Sequence, residues 1–138
     1  MGALTDSLTA VESVLTAQSI ATVIKQFSTT TPPTVEHAVL TVEASSLDRE
    51  DTENFGGGVT VTVDWFYPGD AADGQTQFLA AMDRLDVLVS ALASGLDRTC
   101  QSIDPGGNIE RMEESADLAH WYTATITATF MRKEPATV

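Results

Sequence analysis

The chain has 138 residues, with 20 Asp and Glu against 7 Lys and Arg, a formal net charge of −13 and one cysteine. That length makes one domain whose core needs no disulfide or metal, and the negative charge makes phosphate backbones and anionic lipid poor partners. The lone Cys100 excludes an internal disulfide and reads as a small apolar side chain in a reducing compartment.

Met1 to Ala10 lacks the basic and apolar blocks of a secretory signal, and no apolar run approaches the ~18 residues that span a bilayer, so a soluble protein is expected. Thr5 or Asp6 is a plausible N-cap, and Leu8, Val11 and Leu15 then recur at three- and four-residue spacing, which predicts a helix over Asp6–Ala17. Ile20, Val23 and Ile24 would fall on the opposite side of a continued helix, and the β-branched run Thr22-Val23-Ile24 predicts a strand instead. Ser28 to Pro33 is a loop by composition, held extended by its two prolines.

Ala38–Ala44 alternates and is expected to pair antiparallel with the clearest strand of the chain, Gly58–Tyr67. There Val59, Val61, Val63, Trp65 and Tyr67 point one way and Thr60, Thr62, Asp64 and Phe66 the other. Between the two strands, Ser45–Gly58 carries Asp48, Glu50, Asp51 and Glu53 around Arg49, then Phe55 and three glycines, and is expected to be a mobile acidic loop. Its acids lack the order of a calcium-binding EF-hand loop, and its glycines lead into a strand where a phosphate cradle leads into a helix.

Asp73 is the expected N-cap of a long helix, Gly74–Ser94. Its stripe is Phe78, Met82, Leu85, Val89 and Leu92, widened by Leu79 and Leu88, and Asp83, Arg84 and Asp86 form a solvated outer face. Leu96–Ser102 is a candidate short strand, Asp104-Pro105-Gly106-Gly107-Asn108 a turn, and Ile109–Glu114 its return beside the first. Trp121–Met131 is a last strand with Tyr122, Ala124, Ile126, Ala128 and Phe130 on one face and four threonines on the other, followed by a short polar tail from Lys133 to Val138. The fold class expected is α+β: a single domain, a mixed or antiparallel sheet, and two helices packed on one face.

Convergent chemistry is scarce. His37 and His120 have no Cys or second His at ligand spacing, no serine lies in a G-x-S-x-G elbow, and a carboxylate pair such as Asp64 with Asp117 has nothing in the sequence to bring it together. No catalytic, cofactor-binding or metal-binding residue is assigned. The unused polar surface is the threonine rows, which suit an exposed sheet face or one packed on another copy.

The order of elements resembles the tail terminator proteins of long-tailed (siphophage-type) bacteriophages, the family of the phage lambda tail terminator. The likeness runs from the N-terminal helix through the acidic loop and the strand ending Trp65-Phe66-Tyr67-Pro68 to the closing strand preceded by Ser115-Ala116-Asp117-Leu118. It implies a non-enzymatic virion protein, present in the host cytoplasm during assembly. Such a protein forms a homohexameric ring on the head-proximal end of the tail tube, ends tube polymerisation and provides the surface for head–tail joining. The implied partners are further copies of itself, the tail tube protein and the head–tail connector; no cofactor or membrane is involved, and DNA passes through an acidic lumen without specific binding. On this reading the subunit interface is expected at Asp48, Arg49, Glu50, Asp51, Glu53 and Phe55, with Arg49 pairing an acid of the next copy. Tube or connector contacts are expected at Tyr67, Asp70, Asp73, Arg132 and Lys133. The competing readings are a head-closure or neck connector protein of the same virion and a small ligand-binding domain.

Overall fold

The computed structural model describes residues 2–24, 35–69, 74–106, 109–114 and 119–136. Helix α1 (Ala3–Ala17) begins one turn earlier than its stripe suggests, because Gly2 occupies the N-cap and accepts the Asp6 N–H through its carbonyl. Asp6 therefore lies in the first turn, where its charge favours the helix N-terminus. At the other end Ser19 adopts φ 64°, the left-handed conformation that closes a helix. The Ile20 N–H then bonds to the Leu15 carbonyl and the Ser19 N–H to the Thr16 carbonyl, and Ile20 and Leu15 are both buried. That cap turns the chain into β1 (Ala21–Ile24), as the β-branched run predicts.

The remaining strands are β2 (His37–Ala44), β3 (Asp48–Arg49), β4 (Asn54–Pro68), β5 (Cys100–Asp104), β6 (Glu110–Glu114) and β7 (Ala119–Pro135), with α2 (Gly74–Gly95) between β4 and β5. They form one sheet in the order β1-β2-β4-β7-β5, in which β3 also pairs β4 and β6 also pairs β7. The β1–β2 pair is parallel and every other pair antiparallel, so the sheet is mixed. With both helices on one face, the domain is α+β as expected.

The centre of the sheet is the β4–β7 ladder, which pairs all 15 residues of β4 from Asn54 opposite Pro135 to Pro68 opposite Trp121. On the inner face Val59, Val61, Val63 and Trp65 meet Phe130, Ala128, Ile126 and Ala124, all buried. Sizes alternate across three strands. Leu40, Val63 and Ile126 form one row, while Ala38 and Ala124 flank Trp65 and leave room for the indole. Each large side chain so buried is worth about 1.5–3 kcal/mol relative to exposure. α1 covers β2 and β4, and α2 covers β7 and β5.

Three expectations are corrected. Ser45–Gly58 is a paired hairpin, not an unpaired loop: Asp48 and Arg49 sit opposite Gly56 and Phe55, and β4 starts at Asn54. Lys133–Pro135, expected in a polar tail, belongs to β7 for the same reason, since the far side of this ribbon needs a partner for its backbone groups. Third, β6 does not return beside β5. Both pair the same edge of β7 end to end, Asp104 with Thr127 and Glu110 with Thr123, so six steps on one side (104 to 110) match four on the other (127 to 123). The turn bulges instead of reversing. At its centre Gly106 has φ 77° and presses against the Thr125 carbonyl, where any Cβ would collide.

The apolar face of α2 is also rotated from its expected centre. Ala81, Leu88 and Leu92 are buried, Leu85 and Val89 only partly, and Phe78, Leu79 and Met82 remain 38–52% exposed. At about 100° per residue the buried line lies about 60° from the centre of the predicted stripe. Leu88→Asp should therefore destabilise the protein by about 3 kcal/mol or more in denaturant melts, by placing an unpaired charge in the core. Leu79→Asp should change stability by less than about 0.5 kcal/mol; equal effects would contradict this orientation.

Candidate interaction surfaces

Among the described residues no group of three or more His, Cys, Asp or Glu is arranged to hold a metal ion, and no helix is long and apolar enough to cross a membrane. The His37 ring stacks on Phe66 at 4.8 Å and its Nδ1 lies 3.2 Å from the Val35 carbonyl. Asp64 accepts a hydrogen bond from the cross-strand Thr125 hydroxyl at 3.0 Å, while Asp117 lies outside the described residues. Burial pushes the Cys100 thiol above its usual pKa, away from the thiolate a nucleophile needs.

The strongest polar cluster is one that the sequence reading placed in solvent. Arg84 Nε donates to Glu36 Oε2 at 2.8 Å, its Nη2 donates to the Gln18 carbonyl at 2.6 Å, and Trp65 Nε1 donates to the same Glu36 oxygen at 2.9 Å. Both charged side chains are less than a quarter exposed. One guanidinium thus ties α2 to the last turn of α1 and, through Glu36, to β2 and the indole of β4. The Gln18 carbonyl is one of those a helix C-terminus leaves without a helical partner. The only sequence hint was position: Arg84 is four residues before the buried Leu88, at the margin of the true apolar face.

Rotation of α2 leaves a groove between the helix and the β5–β6 bulge. Phe78, Met82, Leu85, Val89, Pro105 and Ile109 line it around a volume of about 360 Å³, with Asp86 as the charged residue of its lining. Phe78 leans toward Tyr122 at 6.0 Å between ring centroids.

At the other end the ladder outruns the core, whose last members are Val59 and Phe130. Residues 48–58 and 131–136 form an arm of β3 and the ends of β4 and β7. Within it Gly57 is required by packing, since a Cβ would come within 2.8 Å of the Ser46 carbonyl oxygen. The Arg49 guanidinium lies 4.6 Å over the Phe55 ring, and Arg132 pairs with Glu134 at 3.4 Å. Asp51 closes the hairpin by accepting the Glu53 and Asn54 N–H groups at 2.7 and 2.8 Å.

This geometry regroups the residues singled out in the sequence. Asp48, Arg49, Glu50, Asp51, Glu53 and Phe55 come together on the arm, and Arg132 and Lys133 join them there, opposite Gly57 and Gly56. Tyr67, assigned with Arg132 and Lys133 to one contact, lies about 35 Å away at the far end of β4. It is half-buried, its ring 5.6 Å from Trp65. Asp70 and Asp73 lie outside the described residues.

Glu36→Ala should lower stability by about 2–3 kcal/mol, since it leaves Arg84 and the indole without their acceptor. A denaturant titration followed by tryptophan fluorescence checks this, and a loss under about 0.5 kcal/mol would contradict it. The two N–H bonds, the Glu53 one foremost, hold Asp51 below its usual carboxyl value of 3.8. A depressed pKa contributes order that is present above 3.8 and lost as pH falls through the lower folded value. Amide exchange at Glu53 and Asn54 should therefore speed up relative to neighbouring amides below that pH, and Asp51→Asn, which keeps the acceptor oxygen, should remove the pH dependence.

No family model matches the chain, and no curated protein matches it.

Proposed function

We propose that this chain is a structural subunit that assembles with copies of itself into a ring on the head-proximal end of a long-tailed phage's tail tube, ends tube growth and presents the surface to which the head connector docks. The observation that carries the reading is the asymmetry of the ladder. One end carries an arm of charged residues around Arg49 and Phe55, and the other flank an apolar groove beside α2. Two different patches that bind each other make a head-to-tail contact, and a head-to-tail contact whose rotation closes makes a ring. The elements on which the resemblance rests, a helix, a first strand, a strand with a long acidic loop, a central strand, a long helix and a closing strand, follow in that order in the folded chain, with the acidic segment paired as a hairpin and β5 and β6 preceding the closing strand.

In this reading the chain performs no chemistry and resides in the virion, passing through the host cytoplasm during assembly. A neck or head-closure role would use the same ring and differ in its neighbour, filled heads instead of tail tubes. A small-molecule site is less well supported, because among the described residues the groove sets one charged side chain, Asp86, among apolar ones, where a ligand site converges several polar groups. Phage lacking this protein should make tails of irregular, excessive length that fail to join heads, and purified protein mixed with tail tubes should add density at one end in negative-stain images. Uniform tails of normal length joined to heads would overturn the reading.

A further inference from the structure

We infer that the groove beside α2 receives the arm of a second copy of this chain, with the Arg49–Phe55 pair as the inserted element. The inference rests on the ring reading only in taking a second copy as the occupant. Phe78, Leu79 and Met82 are 38%, 52% and 42% exposed, an apolar strip along one helix that the chain's own sheet leaves uncovered. This groove cannot be reached by the chain's own arm. It lies beside Thr123–Thr127 of β7, and Phe55 pairs with Glu134, about 30 Å farther along the same ladder.

Charge selects the occupant. The described part of α2 carries Asp83 and Asp86 against one cation, Arg84, which is committed to Glu36 and Gln18. In a chain of net charge −13, the arm supplies a cation beside an apolar anchor, Arg49 over Phe55. By strand alternation Arg49, Phe55, Arg132 and Glu134 share the face that carries Val59 and Phe130, and because Arg132 pairs with Glu134, Arg49 is the cation of that face without an acid beside it among the described residues. An arginine stacked on an aromatic ring is also the composition of interface hot spots, and about 360 Å³ accommodates that pair. Asp86 then faces the guanidinium as the ring enters between Met82 and Pro105.

The test uses the full chain. Sedimentation across a concentration series should show wild-type protein assembling, and Arg49→Asp or Asp86→Arg should each raise the midpoint concentration by about tenfold or more. Unchanged circular dichroism and melting temperatures would show that these exposed variants still fold. A head-to-tail contact makes one further demand: an arm variant carrying Phe55→Ala and Arg49→Asp, mixed with a groove variant carrying Met82→Asp, should yield 1:1 dimers and stop there, since each pair retains a single intact contact. Wild-type protein that stays monomeric at every concentration, variants that assemble like wild type, or a mixture that restores full assembly would overturn the inference. Rings built by this contact in a phage whose tails are normal without the protein would remove the terminator reading and leave the interface standing.

Discussion

Everything else in the fold is placed by the β4–β7 ladder. Fifteen consecutive residues of β4 are paired on one side by β7, and most are paired on the other by β2 and β3, so the backbone groups of this strand are satisfied without a helix or a solvent-facing edge. Its inner face then presents Val59, Val61, Val63 and Trp65 against Ala and bulky partners in alternation, a surface of fixed width on which two helices fit side by side. The ladder is longer than that surface. What remains is the arm, whose form follows from pairing in the absence of a core beneath it.

The Arg84–Glu36 pair settles how the helices sit on that surface. A lysine could match the charge, but the guanidinium carries donors on separate nitrogens held in one plane, so that Nε is directed to the carboxylate while Nη2 reaches the Gln18 carbonyl at the end of α1. Because Glu36 also accepts the Trp65 indole N–H, the pair is satisfied in several directions, which is the condition under which a partly buried ion pair stabilises more than its desolvation costs. The same contact draws α2 toward α1 and so rolls Phe78 and Met82 outward.

The two central strands were legible because β4 and β7 each had one wholly apolar face with threonines on the other, a pattern that no helix accommodates. Four features were not legible, for separate physical reasons. The apolar stripe of α2 is wider than the sheet can cover, so residue type could not say which part would be buried, and Ala81, central to the true face, adds little weight to any stripe. The Asp104–Asn108 signals specify a turn but not whether it reverses the chain or bulges from a ladder, since that depends on Thr125 across the sheet. The arm carries charge and glycine where strands normally carry apolar side chains. Its pairing is imposed by β7, more than 70 residues later in the sequence for the pair Asn54 and Pro135. The Arg84–Glu36 contact, 48 residues apart, had no local sign beyond the position of Arg84 at the margin of the apolar face.

The sequence separation across the central ladder has a consequence for how the molecule comes into being. β7 follows every other strand in the chain, and until it emerges β4 has an unpaired edge and α2 lacks one of the two strands it covers. Contacts of this reach form late and make folding slow, because the intervening chain must be gathered before any pairing rewards it. During synthesis on the ribosome, the fold and the arm are completed by the same strand in the same event. A partially made chain therefore has no finished arm, and any surface built on that arm appears only after the last strand has closed the sheet.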